Sequence, residues 1–197
     1  ADVHQLKELL QKNEIKNLDV CLMRHLNREK QLSECYYMNI ADIGIGGYVS
    51  QRVNQSSKIL GPDLSYMKAI ITTLATYRHR MIHLKADNFN WEGKALLVVM
   101  ANGKYFGSGL CIAPQAKPDD QKMQLVILGK VSLLDYIKHQ GAVKRGEILQ
   151  HPEVQYVEST RCRIEAIDEC TVDMDGEFAG YGPVDVNVVP GAVRFLC

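Results

Sequence analysis

The chain contains 197 residues, of which 46% are hydrophobic and 23% are charged, and its 23 basic and 23 acidic side chains give a formal charge of zero. This composition fits a soluble globular protein long enough to bury a core, and it excludes a disordered chain. The charge balance excludes the whole-domain positive field typical of nucleic-acid-binding proteins. No apolar run approaches the roughly 20 residues of a membrane-spanning helix, and the first 12 residues lack the apolar core of a secretion signal. We therefore expect a cytoplasmic protein.

The amino-terminal part of the sequence predicts one helix followed by two strands. Asp2 is a suitable N-cap for an amphipathic helix that carries three leucines on one face. Residues Leu18–Met23 are typical of a short strand. Residues Glu34–Ile43 are rich in the aromatic and β-branched residues that strands favour.

A glycine-rich turn and a helix come next. The segment Gly44–Gly47 follows the second strand directly, where a phosphate-binding loop would lie. The full G-x-G-x-x-G pattern is not present because its last position is Val49, so we favour a tight strand-to-helix turn. Residues Leu64–Arg78 place apolar side chains at helical spacing behind Pro62 and Asp63, which predicts a helix packed on a sheet.

Strand patterns dominate from Ala95 onward. Residues Ala95–Ala101 form a continuous apolar run that ends at Asn102-Gly103, a strong signal for a two-residue hairpin turn. Residues Met123–Leu128 predict another buried strand. Residues Val131–His139 predict a short helix that ends near Gly141.

The last third of the sequence alternates apolar and polar residues, as in antiparallel strands with one face in water. We predict that these strands are joined by turns at Asp175-Gly176 and Gly182-Pro183. Helices early and strands late indicate an α+β fold that is mainly β, in which an antiparallel β-sandwich carries a few packed helices. We expect residues 1–197 to form one domain.

Six cysteines occur in the chain, and none of them forms a C-x-x-C pair. A structural zinc site is therefore not expected. A disulfide framework is typical of much shorter secreted chains. We expect six reduced thiols, most of which act as small core residues.

Two segments contain residues suited to metal binding or catalysis. Asp119 and Asp120 stand in a predicted loop, where a carboxylate and nearby carbonyl groups can bind Mg²⁺; paired loop aspartates are also common solvated turn formers. The Asp175–Glu177 turn would place Glu177 at the rim of a cleft. A carboxylate there can accept the proton of a hydroxyl that attacks a phosphoryl group, although a plain hairpin turn explains the same residues.

The order and spacing of several segments resemble the second domain of diacylglycerol-kinase-like lipid kinases. That group includes bacterial lipid kinases and the sphingosine and ceramide kinases. The resemblance runs from about Asn17 to the carboxy terminus. The matching segments are Asn39–Val49 (NIADIGIGGYV), Gly61–Met67 (GPDLSYM), Val98–Asp120 (VVMANGKYFGSGLCIAPQAKPDD), Met123–Leu128 (MQLVIL) and Asp175–Glu177 (DGE).

The resemblance implies a two-domain kinase. Members of the family have an amino-terminal α/β domain whose Gly-Gly-Asp-Gly-Thr motif binds ATP, followed by a carboxy-terminal β-sandwich, and the lipid meets the nucleotide between the two. The present sequence contains no Gly-Gly-Asp-Gly-Thr motif. It therefore resembles the carboxy-terminal domain alone, and we expect ATP to be bound mainly by the other domain.

The resemblance also implies roles for individual residues. Glu177 matches the family's catalytic carboxylate, which deprotonates the lipid hydroxyl. Asp120 matches an aspartate that holds a structural Mg²⁺ ion, together with main-chain carbonyl groups at Lys117 and Lys122. That ion would organise the loop that faces the nucleotide-binding domain.

Three positions depart from the family pattern, and one of them is Ser108, which replaces a glycine. The residue after the loop aspartate is usually glycine and is Gln121 here, which weakens the match of the metal loop. Gly46 stands where the family often has an acidic residue, so any role of that side chain is lost.

The resemblance thus predicts the carboxy-terminal half of an ATP-dependent lipid kinase that acts on a lipid such as diacylglycerol, and that is inactive alone. We expect Mg²⁺ as cofactor, peripheral contact with the membrane, and a homodimer as one form, since some members dimerise.

Two alternatives remain open. An NAD kinase-like or other small-molecule kinase would have a polar pocket beside Glu177, whereas a lipid needs an apolar one, which we place near the Leu64–Tyr77 helix. A non-catalytic lipid-binding β module would lack an upstream nucleotide-binding domain.

Overall fold

The computed structural model describes residues 14–55, 62–107 and 109–196, and its main feature is a large antiparallel sheet. In this part of the chain eleven strands form the sheet, and two short strands, β7 (Tyr105–Phe106) and β8 (Leu110–Cys111), pair separately. The helices described are α1 (Gly46–Gln55), α2 (Pro62–Leu74) and α3 (Leu133–Lys144). The strands are β1 (Ile15–Leu26), β2 (Leu32–Tyr37), β3 (Ile40–Gly44), β4 (Arg80–Ala86), β5 (Phe89–Ala95), β6 (Leu97–Ala101), β7 (Tyr105–Phe106), β8 (Leu110–Cys111), β9 (Met123–Leu128), β10 (Val154–Ser159), β11 (Arg161–Ala166), β12 (Thr171–Met174) and β13 (Glu177–Leu196).

The 20-residue strand β13 organises the sheet. The strand order is β10-β9-β6-β3-β12-β13-β11-β4-β5, and β1 pairs with both β13 and β2. The first residues of β13 pair with β12 and later residues pair with β11, while β1 follows β13 along most of its length. Because β13 changes neighbours along its length, the sheet folds over itself into a sandwich-like body. The predicted α+β fold, a mainly antiparallel β-sandwich with a few helices, is confirmed.

The two faces of the central strands belong to two different cores. Alternate residues of a strand point to opposite faces, so Val98 and Met100 of β6 pack inside the folded sheet. Val99 and Ala101 of the same strand pack instead towards the helices. The second core therefore lies between the sheet and its helical cover, and it forms the floor of the pocket described below.

The strand predictions in the first part of the chain are confirmed with different limits. The predicted strand Leu18–Met23 lies inside the longer β1, and the predicted strand Glu34–Ile43 is divided between β2 and β3. The segment Gly44–Gly47 forms the expected tight turn from β3 into α1. The helix predicted to follow Asp2 lies outside the described residues.

Both later helices are confirmed, but their ends differ from the prediction. The helix predicted over Leu64–Arg78 is α2, which ends earlier, at Leu74. The helix predicted over Val131–His139 is α3, which begins after Ser132. Ser132 and Asp135 form a reciprocal capping box, which satisfies main-chain N–H groups at the first turn and fixes where the helix starts.

The predicted hairpin at Asn102-Gly103 is wrong. Strand β6 pairs with β3 on one side and with β9 on the other, so both of its edges are already occupied. The main-chain N–H groups of Asn102 and Gly103 donate to the carbonyl oxygen of Asn39 at 2.9 and 2.8 Å. The Asn102 side-chain amide donates to the carbonyl oxygens of Asp19 and Met38. These residues therefore end β6 by contacts with distant elements.

The predicted turn at Gly182-Pro183 is also wrong, because both residues lie within β13. Before this point Tyr181 pairs with Thr171 of β12, and after it Val184 pairs with Ile164 of β11. Proline lacks an N–H group and is tolerated where a ladder is interrupted. The Gly-Pro step therefore marks a change of neighbouring strand and not a reversal of the chain.

The cysteines that the structure describes are all free thiols, as predicted. Burial raises the pKa of both Cys21 and Cys170 to about 11, which favours the unreactive protonated form at neutral pH. Cys197 lies outside the described residues. Among the helices described, none is long and apolar enough to cross a bilayer.

Candidate functional site

A pocket of about 510 Å³ lies between the helix-facing side of the sheet, the helices and the β7–β8 hairpin. Most of its lining side chains are aliphatic or aromatic, as in sites that take apolar ligands. The lining includes residues of α2, where the sequence had suggested the apolar slot. Representative lining residues are Ile45, Val49, Ile70, Leu97, Leu128 and Val143.

The pocket extends across neighbouring strands of the sheet. One end is lined by Asp175 and Gly176 of the β12–β13 turn, and the other end by Tyr136 of α3 and Val154 of β10. Four strand spacings separate β12 from β10, which corresponds to about 19 Å at about 4.8 Å per spacing. An extended apolar ligand that reaches from the turn to α3 would therefore cross the strands.

Two buried carboxylates, Asp42 and Asp173, line the pocket and are cross-strand partners on β3 and β12. Their exposures are 1% and 9%. Burial raises the pKa of Asp173 to about 6, against the opposite effect of hydrogen bonds from Ser50 and the Gly176 N–H. Burial and the neighbouring charge of Asp173 raise the pKa of Asp42 well above its usual range. Like charges this close disfavour double ionisation, which favours the form of the pair that keeps a proton.

Asp42 lies beneath the first turn of α1. The Gly46 main-chain N–H donates a hydrogen bond to its carboxylate, and a Cβ at position 46 would lie 2.2 Å from each carboxylate oxygen. Gly46 is therefore required by this buried acid. Among the described residues, the Asp42 Oδ1 atom has no hydrogen-bond partner. Sequence reasoning missed Asp42, although a charged residue inside the apolar strand Ile40–Gly44 was a usable signal, since perturbed acids cluster at functional sites.

The Asp175-Gly176 turn is fixed by the Asp175 carboxylate. It accepts hydrogen bonds from the main-chain N–H groups of Met38–Ile40 at 2.9 to 3.1 Å. Both turn residues have positive φ, 50° for Asp175 and 89° for Gly176, as in the type I′ turns that favour Asp-Gly. The predicted hairpin turn is confirmed, and it determines where the next residue, Glu177, is placed.

Glu177 is exposed at the first position of β13. Its Oε2 atom accepts a hydrogen bond from the side-chain amide of Asn54 on α1 at 3.3 Å. Glu177 lines an open groove of about 350 Å³ with polar neighbours such as His25 and Arg28, whereas the two residues before it line the apolar pocket. The carboxylate therefore stands at the surface, between the apolar pocket and the polar groove.

The loop of residues 117–122 is tied to β1 by the buried side chain of Asp19. The carboxylate of Asp19 accepts the N–H groups of Gln121 at 2.6 Å and Gly191 at 2.7 Å, and its own N–H donates to the carbonyl oxygen of Pro118. Gln121 has a φ of 65°, in the left-handed region that glycine favours. The loop therefore keeps a glycine-type conformation although glutamine occupies the position. Sequence reasoning also missed Asp19.

The oxygen atoms of this loop are of the type that binds Mg²⁺. Mg²⁺ is usually held by one or two carboxylates, other oxygen atoms and several waters, and Asp120 with the carbonyl groups of Lys117 and Lys122 would supply such a set. The Asp120 Oδ1 atom accepts the Lys122 N–H at 3.1 Å. The Lys122 ammonium group pairs with the Glu158 carboxylate at 2.7 Å, and Glu158 therefore offsets the positive charge of this lysine beside the loop. In the described part of the chain no group of three or more histidine, cysteine or acidic side chains could hold a metal. A metal ion at this loop would therefore need main-chain oxygen atoms among its ligands.

The loop and Glu177 lie at the same end of the sheet without forming one site. Strand β9 begins directly after the loop and β12 ends directly before the turn, and β6 and β3 lie between them. Three strand spacings of about 4.8 Å separate the two positions by about 14 Å. A cation at Asp120 would therefore act on the loop and not on the Glu177 carboxylate directly.

Solved diacylglycerol kinase structures share this sandwich-like antiparallel fold. The chain belongs to the family described as the YegS C-terminal NAD kinase beta sandwich-like domain, whose model matches residues 39–197. Relatives that the chain matches are named as kinases.

Relatives and solved structures agree with this assignment. A Staphylococcus aureus (strain JH9) protein named "Putative lipid kinase" is 23% identical over 169 residues, which cover 84% of this chain and 55% of that protein. A diacylglycerol kinase from Bacillus anthracis has the same fold, with a TM-score of 0.63 at 17% identity over 99% of this chain and 58% of the other. Yeast NADH kinase complexed with NADH gives a TM-score of 0.53 at 9% identity, over 98% of this chain and 48% of the other. The chain spans about half the length of the relatives it matches.

Proposed function

We propose that this chain is the lipid-binding and base-carrying part of an ATP-dependent lipid kinase that phosphorylates a lipid hydroxyl such as that of diacylglycerol. The observation that carries the proposal is the apolar pocket that ends at the Asp175-Gly176 turn, directly before Glu177. An apolar pocket beside a carboxylate is what a lipid acceptor requires, whereas a soluble acceptor would require polar walls. ATP would be bound mainly by a second domain.

Glu177 is the residue that we assign as the general base. Its carboxylate would accept the proton of the lipid hydroxyl while the hydroxyl oxygen forms a bond to the γ-phosphorus of ATP. The bond between that phosphorus and the β–γ bridging oxygen breaks, and ADP leaves with the bonding electrons. Asn54 already donates to Oε2, so we assign the substrate proton to Oε1. Phosphoryl transfer depends mostly on positioning and charge stabilisation, so a base on one domain can serve a nucleotide on another.

The metal loop has a supporting role in this scheme. Mg²⁺ bound by Asp120 and the carbonyl groups of Lys117 and Lys122 would supply positive charge that holds the loop in one conformation. Asp19 already fixes the same loop through Gln121, so the chain's own contacts provide part of this order. We expect the ion to strengthen the loop that faces the nucleotide-binding domain.

A soluble acceptor, as in an NAD kinase-like enzyme, is the second candidate. The polar groove beside Glu177, with His25 and Arg28, is the observation that favours it. A non-catalytic lipid-binding module would use the apolar pocket and would not need Glu177. The lipid kinase, the soluble-acceptor kinase and the non-catalytic module differ in which substitutions would impair activity or lipid binding, so one set of variants can distinguish them.

The test is ATP-dependent phosphorylation of diacylglycerol by the protein in which this chain is joined to its nucleotide-binding domain. Replacing Glu177 by Gln should reduce turnover by at least 100-fold, since general base catalysis contributes typically 10²–10⁴-fold, with ATP affinity nearly unchanged. The matched control is Glu165→Gln, at an exposed glutamate on β11 that pairs with Arg163, and it should leave turnover unchanged. Unchanged turnover in Glu177→Gln would rule out the base assignment.

The 197-residue chain alone should show no kinase activity, because it lacks the ATP motif, but it should bind lipid. Phosphorylation of a soluble acceptor, with no diacylglycerol product, would favour the NAD kinase-like alternative. Lipid binding by a full-length protein that has no Gly-Gly-Asp-Gly-Thr motif before Ala1 would favour the non-catalytic module.

A further inference from the structure

The outer face of α3 has an apolar centre flanked by positive charges. With 3.6 residues per turn, the side chains on this face fall within an arc of about 120°. Leu134 and Ile137 are 77% and 48% exposed, and Lys138, Lys144 and the C-cap Arg145 are also exposed. The apolar pair and the cations are therefore neighbours on one exposed face of the helix.

The acidic residue of α3 lies on the other side of the helix. Asp135 lines the pocket, where it accepts hydrogen bonds from Ser132 and lies 3.6 Å from His151. The outer face therefore carries no carboxylate of the helix itself. Glu147, beyond the helix, pairs with Arg145 at 2.6 Å, so the net attraction of this face for an anionic surface comes mainly from Lys138 and Lys144.

The inner face of the same helix forms a wall of the apolar pocket. Tyr136, His139 and Val143 line the pocket, on the opposite side of the helix from Leu134. Helix α3 thus separates the pocket from solvent, and it does so at the end remote from the Asp175-Gly176 turn.

We propose that the outer face of α3 docks on an anionic membrane surface. Leu134 and Ile137 would insert at the level of the headgroups, and Lys138 and Lys144 would contact anionic lipid headgroups, as in amphipathic helices that lie in the membrane interface. A lipid drawn into the pocket would keep its chains towards the membrane at α3 and its hydroxyl towards Glu177. This orientation rests on the proposed function, but the docking itself requires no catalysis.

The position of this face argues for a membrane and against the nucleotide-binding domain as its partner. The proposed base is at the opposite end of the pocket, so a domain that delivers ATP to Glu177 would lie away from α3. The cationic flanks argue against a second copy, because two copies related by a twofold axis would bring the same positive charges together. An anionic surface satisfies both the apolar centre and the cationic flanks.

The test is co-sedimentation of the 197-residue chain with vesicles of phosphatidylcholine alone or mixed equally with phosphatidylglycerol. We expect binding to the anionic vesicles, weaker binding at 500 mM than at 50 mM salt, and at least tenfold weaker binding of the double variant Leu134→Gln/Ile137→Gln. The variant Lys138→Gln/Lys144→Gln should lose the preference for anionic lipid. The matched control is Leu32→Gln on β2, since Leu32 is also 77% exposed, and it should bind as the unchanged chain does.

The outcomes separate this inference from the proposed function. Because the substituted side chains are exposed, thermal melting should not change in any variant, which excludes misfolding as the cause. Equal loss of binding in the Leu32 control, equal binding to both vesicle types, or a change from dimer to monomer in the α3 double variant by analytical ultracentrifugation would overturn the docking proposal. Vesicle binding retained in Glu177→Gln, with no kinase activity in the unchanged full-length protein, would instead overturn the proposed function alone.

Discussion

The buried acid at position 173 makes a quantitative prediction about stability. Burial raises the pKa of Asp173 from its ordinary value of 3.8 to about 6, so between these two values the folded chain binds more protons than the unfolded chain. Stability therefore falls as the pH rises from about 4 to about 6, and the full penalty applies above that interval. At about 1.4 kcal/mol per pKa unit, the difference between these two pKa values lowers the free energy of unfolding by about 3 kcal/mol once Asp173 is ionised.

Replacing Asp173 by Asn removes this penalty while keeping an oxygen that can accept the Gly176 N–H, which donates to Asp173 at 3.1 Å. We expect Asp173→Asn to raise the free energy of unfolding by about 3 kcal/mol at pH 7 to 8, and to change it little at pH 4. The assay is urea unfolding of the 197-residue chain at several pH values, followed by the fluorescence of its single tryptophan, Trp91.

The neighbouring carboxylate supplies a contrasting control. Asp175 accepts three main-chain hydrogen bonds, and an asparagine amide offers only one acceptor oxygen, so Asp175→Asn should destabilise the chain at pH 7 by about 1–3 kcal/mol. A stability gain in Asp173→Asn that is the same at pH 4 and pH 8, or a loss at pH 7, would refute the reasoning. If both variants are more stable than the unchanged chain, charge repulsion around the turn, and not burial of Asp173, is the cause of the stability gain.

Three further predictions concern the loop and the pocket. Asp120→Ala in the full-length protein should reduce activity and remove the effect of a chelator on thermal melting. If this variant shows normal melting and activity both with and without chelator, no functional metal is bound at this loop. Asp19→Asn should lower the free energy of unfolding by about 1–3 kcal/mol in chemical denaturation, because the N–H group of either Gln121 or Gly191 then loses its acceptor oxygen. An unchanged free energy of unfolding would show that Asp19 does not hold the loop against β1. Val49→Trp should fill the pocket and weaken binding of a fluorescent diacylglycerol at least tenfold, whereas Leu32→Trp on the exposed β2 should not, and equal binding in both would place the ligand elsewhere.

The sequence contained enough local information to predict the fold class and several turns. The Asp175-Gly176 turn was predictable because Asp-Gly suits the two positive φ angles of a type I′ turn. The turn from β3 into α1 was predictable because Gly44–Gly47 follows an apolar strand directly. Both features depend on residues that are adjacent in the chain.

The wrong predictions concern residues whose conformation is set by distant parts of the chain. Asn102-Gly103 has the local signature of a hairpin, but β6 already has a neighbour on each edge. Gly182-Pro183 has the local signature of a turn, but β13 continues because β1 pairs with it across this region. Pairing between distant strands is a tertiary property, and it overrides local preference in both cases.

The candidate site was only partly predictable. Glu177 and Asp120 were singled out by residue type and by their predicted turn and loop, and resemblance to a family suggested their roles, which stay predictions. The buried acids Asp42 and Asp173 were not found, because alternation along a strand does not reveal that two acids on different strands are cross-strand partners. The pocket combines residues from three helices and several strands, and such a combination cannot be read from local patterns.

In our proposal a lipid lies in the apolar pocket with its hydroxyl at the Asp175–Glu177 turn and its chains directed towards α3. Photo-cross-linking with a diacylglycerol that carries a diazirine at the end of one acyl chain tests this directly, with the labelled peptides identified by mass spectrometry. We expect labels on residues of α3 such as Tyr136 and Val143, which line the pocket. Labels concentrated on the Asp175–Glu177 turn, or on surfaces outside the pocket, would contradict it.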